Sequence, residues 1–505
     1  MPRAQFAEYD AASPAPRNAC TENTRKAVID TLQAWASDNT TTKVYWLNGM
    51  AGTGKTTIAY SFSEILDANK SLGGNFFSSH LRVDTSDVRC IIPTISLQLA
   101  GYLPSLSHAM LEVVETNPDC SSWKIGKQFL NFIVRPFMAA YGDIRVIPVI
   151  VLDALDECSD QSLVAELLQM ILKHSTSLPV KFFITSRPEI VLKETFDQPW
   201  GHFNFILHEV ERDIVKADIE LYIKACLLNG QIKHKRHNWP PQDELESLVN
   251  MSGTLFIYAA TVCKYIAQRG SNSMPQRLSD VVNFASERTF GIIQPLDGLY
   301  EGILDVAYDC ANPRERSDMH MVLEAIIYVY NPLSMTAISA LMQIPIEQVE
   351  NALSPLYSLI YIPSQNLETL LISIFHASFY DFMSKQALSS KHYLDPSASH
   401  KHLGLQCLSL IDREWSQKER ISYLAERKYK EISESLAYAC GSWALHLAHA
   451  NMQNKSSELE HFFEQHLLRW MDCLSILGKL ETAIDSLQWL KSWVNVSELF
   501  LLQMN

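Results

Sequence analysis

Gly49-Met50-Ala51-Gly52-Thr53-Gly54-Lys55-Thr56 decides the reading of this chain, because it satisfies G-x-x-x-x-G-K-[ST] in full. Glycines at these places let backbone N–H groups turn inward around a β-phosphate, and the Lys55 amine is long enough to reach β and γ oxygens. The Thr56 hydroxyl is a ligand for Mg²⁺, and a helix starting here aims its positive end at the anion. The flanks agree: Lys43–Asn48 predicts a strand and the residues through Leu66 predict an amphipathic helix. The candidate binding set is therefore Gly49, Gly52, Thr53, Gly54, Lys55, Thr56 and its neighbour Thr57.

Working outward, apolar runs at Gly74–Ser79, Val146–Asp153, Pro179–Arg187 and His202–His208 alternate with helical patterns such as Ile91–Leu103 and Gln128–Ala140. Buried strands separated by helices imply an α/β P-loop NTPase with a parallel five-stranded core sheet covered on both faces. The run Val149-Ile150-Val151-Leu152-Asp153 ends in a carboxylate at the sheet edge, which is what a Walker B element needs to hold Mg²⁺. Asp153 joins Thr56 as a metal candidate. Asp156 and Glu157 follow within reach of a water attacking a γ-phosphate; acidic residues at a helix start are also favoured by the dipole, and the two readings are compatible. Arg187, closing Phe182-Phe183-Ile184-Thr185-Ser186-Arg187-Pro188, reads equally as a γ-phosphate sensor or as an exposed strand-end arginine.

Beyond residue 210 the strand signals fade and helices follow at Asp213–Leu228, Glu244–Met251, Leu255–Arg269 and Leu296–Cys310. Helices then lead into a hairpin pattern, Leu356–Pro363 and Thr369–Phe375 around a polar turn at Ser364–Glu368, which predicts a winged helix. The remainder reads as all-α, with Leu436, Cys440, Trp443 and Leu447 on one helical stripe. The domain expectation is a lead-in over 1–40, an NTPase core over 41–210, a helical domain over 211–295, a winged helix over 296–385 and a helical tail over 386–505.

Composition narrows the function. The chain has 505 residues, 42 Lys+Arg and 56 Asp+Glu, a net charge of −14. That balance argues against nonspecific nucleic-acid or anionic-lipid binding; the basic run Lys233-His234-Lys235-Arg236-His237 reads as a solvated loop. Hydrophobic residues at 47% describe a globular chain of roughly three domains. No signal-peptide core or membrane span is evident, and ten scattered cysteines without a C-x-x-C pair fit reduced thiols in a cytoplasmic protein. His400-Lys401-His402 is set aside as a metal site for want of a supporting Cys or carboxylate cluster.

Trp46 to Ala59 closely resembles the NACHT domain of fungal NOD-like proteins, members of the STAND class of signal-transduction NTPases whose core is also described as nephrocystin-3-like. The resemblance continues through Phe76-Phe77-Ser78, Pro93-Thr94-Ile95, Asp153 to Cys158, Thr185 to Pro188, Gly253 to Thr261, Phe375 to Phe382 and His466 to Met471. It implies a nucleotide-gated switch using ATP or ADP (GTP is allowed) and Mg²⁺, closed with ADP and self-associating with ATP. From its own segment His376 reads as a capping or core histidine; the resemblance implies contact with the ADP β-phosphate. Thr24 and Arg25 match a lead-in near the base, and Ala154 stands where many NACHT domains carry Gly, with little consequence expected. Relatives place an effector domain ahead of the core and a repeat array behind it. About 40 residues precede the first predicted strand here and no repeats follow up to Asn505, so effector or sensor partners are expected.

Two other classes compete. A small-molecule P-loop kinase would need an acceptor lid, and no segment reads as one. A nonhydrolysing, nucleotide-bound scaffold is disfavoured by the intact Asp153, Asp156 and Glu157.

Overall fold

The computed structural model describes residues 3–11, 17–196, 203–207, 212–229, 239–267, 274–287, 295–362, 371–417, 432–450 and 457–493. They form two compact units, Met1–Leu296 and Asp297–Asn505.

The first unit is built on strands β1 (Val44–Asn48), β2 (Leu72–Phe77), β3 (Val149–Asp153), β4 (Lys181–Ser186) and β5 (Phe203–Ile206), all parallel in the order β2-β3-β4-β1-β5. Every residue of β1, β3 and β4 is buried, so these strands show no polar alternation; both faces are covered by helices. The pleat sends alternate side chains to opposite layers. Tyr45, Leu47, Val149, Val151 and Phe183 pack with Val28, Leu32 and Trp35 of helix Lys26–Ser37 and with Ile58 and Phe62 of helix Lys55–Ala68. Val44, Trp46, Ile150, Leu152, Phe182 and Ile184 pack on the other face against Ile95, Phe129, Val164 and Leu168. Each such large apolar side chain contributes roughly 1.5–3 kcal/mol of burial.

A buried cation ties helix Lys26–Ser37 to the sheet. Lys181 Nζ donates to the carbonyls of Trp35 and Asp38, the latter at 2.6 Å, and to Thr41 Oγ1 at 3.2 Å. A positive charge is favoured where helix carbonyls are left open. Burial pushes the amine down to about 8.

Some elements differ from the expectation. β3 starts at Val149, after Pro148, which has no N–H for the ladder; Val149 N–H then donates to Ser71 O at 2.8 Å. The helix expected at Gln128–Ala140 runs from Ile125 to Ala139 through a π turn at Leu130–Val134, just before Pro136, which cannot donate to the preceding turn. Helices Pro104–Thr116 and Gln161–Ser175 were not singled out by pattern. After β5, helices Arg212–Asn229, Gln242–Ser252, Phe256–Ala267 and Met274–Glu287 follow. The basic run at 233–237 lies outside the described residues. Among the described residues no helix is long and apolar enough to cross a membrane.

In the second unit, helices Pro313–Tyr328, Met335–Met342 and Ile346–Leu353 accompany a small antiparallel sheet. Its strands β6 (Leu333–Ser334), β7 (Ile360–Tyr361) and β8 (Leu371–Ile374) run in the order β6-β8-β7. The turn expected at Ser364–Glu368 lies outside the described residues. Helix Pro313–Tyr328 begins with a capping box between Asn312 and Glu315, worth about 1 kcal/mol. Farther on, Leu436, Cys440, Trp443 and Leu447 are all buried on helix Glu434–His449. Gly404 on helix Pro396–Gln417 permits the close approach, since a Cβ there would lie 2.6 Å from Leu447 Cδ2.

Candidate functional site

The carboxyl ends of β1, β4 and β3 lie side by side, with Leu47 opposite Thr185, Asn48 opposite Ser186, and Leu152 opposite Ile184. That sheet edge is where parallel α/β folds hold ligands. The loop leaving β1 turns through Gly52 (φ +76°) and Gly54 (φ +90°), both in the left-handed region that glycine enters freely. Thr53 Oγ1 donates to Met50 O at 2.9 Å, closing the turn.

Lys55, the first residue of its helix, is buried, and its Nζ donates to Gly49 O at 2.7 Å and Met50 O at 3.0 Å. Burial lowers its pKa, an effect opposed by the charge of Asp156. An ammonium held inside its own glycine loop is placed to exchange those carbonyls for phosphate oxygens.

Asp153 is buried at the end of β3. Thr185 Oγ1 donates to its Oδ1 at 2.5 Å, and Ala154 N–H donates to Thr185 Oγ1 at 3.0 Å. Burial pushes the carboxyl up to about 6, with the Thr185 bond and then Thr56 opposing the shift. Its Oδ2 is buried and takes no hydrogen bond from the protein. An orphaned carboxylate oxygen beside a threonine hydroxyl is the donor set a small hard cation requires. Thr56 and Asp153 therefore fit Mg²⁺, which would neutralise phosphate charge there.

Two further carboxylates are already engaged. Asp156 Oδ1 accepts from Arg187 N–H at 2.9 Å and its Oδ2 pairs with Arg187 Nε at 3.1 Å. Burial raises the Asp156 pKa, the Glu157 charge adds to it, and Lys55 and Arg187 oppose it. Arg187 is thus not a bare strand-end arginine but is paired with Asp156. Glu157 Oε2 meets His80 Nδ1 at 3.1 Å.

Two contributors, His80 and Arg17, carry no signal in the sequence, and a third, Ile257, enters there only within the resembling stretch Gly253 to Thr261. His80 sits on the turn after β2 with no motif around it. Arg17, in the segment read as a plain lead-in, lies over the Phe77 ring at 4.8 Å and interacts electrostatically with Asp153 and Glu157. Ile257 donates its backbone N–H to Gly52 O at 3.1 Å. A Cβ on Gly52 would come within 2.0 Å of Ile257 Cγ2. Arg25 shares this role: its Nη2 donates to Thr53 O at 2.8 Å, and its guanidinium lies 4.6 Å above the Phe256 ring. The phosphate loop's main chain is thereby clamped by the lead-in and by helix Phe256–Ala267.

His376 belongs to the second unit. It caps helix Ala377–Met383, with Nδ1 accepting from Ser378 N–H at 3.0 Å. Accepting at Nδ1 leaves the proton of the neutral ring on Nε2. Ala154 adopts φ +55°, a left-handed conformation that costs a non-glycine residue about 1 kcal/mol, so the alanine is not without consequence.

Residues 24–187 match the family described as nephrocystin 3, N-terminal. That stretch, about a third of the chain, carries the loop, Asp153, Asp156, Glu157 and Arg187. No curated protein matches the chain significantly. Solved structures with likeness include a Signal Transduction ATPase with Numerous Domains with a tetratricopeptide repeat sensor from Pyrococcus horikoshii, at 13% identity and TM-score 0.39, covering 98% of this chain and 67% of that one. Cdc6p from Pyrobaculum aerophilum is similar at 12% identity and TM-score 0.33, over 76% of this chain and 96% of that one. Drosophila ORC bound to DNA follows at 12% identity and TM-score 0.30, over 71% and 94%. These three are distant, and the functional reading rests on the site and the family match.

Proposed function

We propose that the chain is a nucleotide-dependent molecular switch of the NACHT/STAND class that binds ATP or ADP with Mg²⁺ and hydrolyses ATP slowly. The observation that carries the reading is the juxtaposition of Lys55, enclosed by its own loop, with Asp153, whose second oxygen is buried and unbonded. On this reading Gly49, Gly52, Thr53, Gly54, Lys55, Thr56 and Thr57 cradle the phosphates, while Thr56 and Asp153 hold the metal. Asp156, Glu157 and Arg187 organise the attacking water and the γ-phosphate.

The clamp on the loop supports a switch in particular. Arg25 and Ile257 bond the carbonyls of Thr53 and Gly52, so a phosphate that reshapes the loop changes the strain on both segments. The winged-helix reading of 296–385 is supported by three helices followed by the β7–β8 hairpin. Within it, the Nε2–H of His376 is a donor of the type that binds a β-phosphate. We further assign self-association to the ATP state, with effector or sensor proteins as partners, a cytoplasmic setting and kinship with fungal NOD-like proteins. The domain limits expected from sequence form part of the same reading.

Denaturing the purified protein and identifying any released nucleotide tests this reading. Copurified ADP supports it; a preparation that neither carries nor takes up adenine or guanine nucleotides with Mg²⁺ refutes it.

A further inference from the structure

Outside the phosphate site, the described residues contain one group of three His, Cys, Asp or Glu side chains whose ligand atoms lie together: Asp412, His461 and His466, all within 4.8 Å of one another. Asp412 is on helix Pro396–Gln417, His461 on helix Ser457–Gln465, and His466 at the cap of helix Leu467–Ile476. His466 is buried, with only 6% of its side chain exposed, whereas His461 and Asp412 are 52% and 43% exposed. One member is therefore fixed in the core and two open to solvent, so an ion has a way in.

A single carboxylate oxygen is the focus. Asp412 Oδ1 lies 3.1 Å from His461 Nε2, 2.9 Å from His466 Nε2 and 3.0 Å from Ser416 Oγ. Two imidazoles pointing the same ring nitrogen at one carboxylate oxygen, with separations near 3 Å, approximate the edges of a coordination polyhedron with bonds of about 2.0–2.2 Å. Small rotations of the half-exposed His461 ring and of Asp412 open room for an ion between them. In the ion-free state the Asp412 contact holds the ring proton of His466 on Nε2, while its Nδ1 is buried without a hydrogen-bond partner. Coordination through Nε2 moves the ring proton to Nδ1, at the cost of a buried N–H without an acceptor.

We propose that Asp412, His461 and His466 form a binding site for a borderline transition-metal cation, Zn²⁺ in the first instance. Two imidazoles and one carboxylate disfavour Mg²⁺ and Ca²⁺, which want oxygen, and suit zinc with the remaining position filled by water. The ion would pin three helices of the tail together. Because no acceptor orients His466 from behind, the affinity is expected to fall about 10–100-fold short of a site with a complete outer shell, in the micromolar range.

The test is titration of the full chain with Zn²⁺ by calorimetry, in excess Mg²⁺ so that the phosphate site does not compete, with Co²⁺ absorption as a second readout. One equivalent is expected in the micromolar range, weakened at least tenfold in His461→Ala and in Asp412→Asn. The visible Co²⁺ band should lack thiolate charge transfer. His461 is half exposed, so its variant keeps the fold, as its far-UV circular dichroism and nucleotide binding will show. No saturable binding by the native chain, unchanged binding in His461→Ala, or a Co²⁺–thiolate band from the cysteines would each overturn the proposal.

Discussion

Arg187 holds Asp156 twice, through its backbone N–H at 2.9 Å and its Nε at 3.1 Å, so the strand-end arginine and the acidic turn form one unit. Arg187→Ala leaves a buried carboxylate without its cation. The loss of stability is expected to be on the order of 2–4 kcal/mol at neutral pH. Burial already holds the native Asp156 pKa above its unfolded value; loss of Arg187 raises it further, so the deficit grows as pH rises from the native folded pKa to that of the variant and shrinks toward acid. Urea denaturation at pH 5.5 and 8 checks the sign; ATP turnover should fall on the order of a hundredfold. A pH-independent deficit would show that the pair carries no charge.

Ala154 sits at φ +55° immediately after Asp153. Ala154→Gly is expected to relax the backbone and raise stability by a few tenths of a kcal/mol, the relief of about 1 kcal/mol exceeding the roughly 0.5–1 kcal/mol cost of glycine's extra unfolded-state freedom. Thermal denaturation with equal or lower stability in the variant would mean that the left-handed turn is held at no cost.

The Arg25 guanidinium donates to Thr53 O and covers Phe256. Arg25→Met keeps the aliphatic stem but leaves that buried carbonyl unpaired, at about 1–3 kcal/mol. Nucleotide affinity is expected to drop about tenfold, with little change in the Mg²⁺ requirement. Equal affinities in titration calorimetry would separate the clamp from the phosphate site.

In the second unit, His400 Nδ1 and His446 Nδ1 lie 2.8 Å apart, and Tyr438 OH meets His446 Nε2 at 2.7 Å. Tyr330 and His449 flank the pair. Burial lowers His400 to about 4, with the His449 charge adding to it, and burial followed by the same histidine neighbours holds His446 well below its ordinary value. Both rings are neutral in the folded state, while the unfolded chain takes up protons below about 6.5. Stability is therefore complete above that pH and lost as pH falls from about 6.5 toward 4, on the order of 2 kcal/mol for His400. His400→Phe should flatten that acid limb in a pH series of denaturation midpoints. An unchanged limb would place the proton uptake elsewhere.

The legible parts of the molecule were those written in local pattern. β1, β3 and β4 are fully buried runs and announce themselves by unbroken apolar sequence, and the glycine loop is fixed by spacing. Helix Gln161–Ser175, capped by Asp160, is less legible because it follows directly on an acidic turn whose residues suit a catalytic site as well as a helix start. Arg17, His80 and Ile257 were illegible for a different reason. Their contacts are to residues far along the chain, and Ile257 acts through its backbone N–H, which no side-chain pattern records. The same holds for Asp412, His461 and His466, which only the packing of three helices brings together.

Titration of the purified chain with ADP and with ATP in the presence of Mg²⁺, beside the Lys55→Ala variant, bears most directly on the phosphate site. The native chain is expected to bind one nucleotide, and the variant to lose at least a hundredfold in affinity, about 2.7 kcal/mol. Equal affinity in the variant, or no binding by the native chain, would contradict the assignment of the Gly49–Thr56 loop.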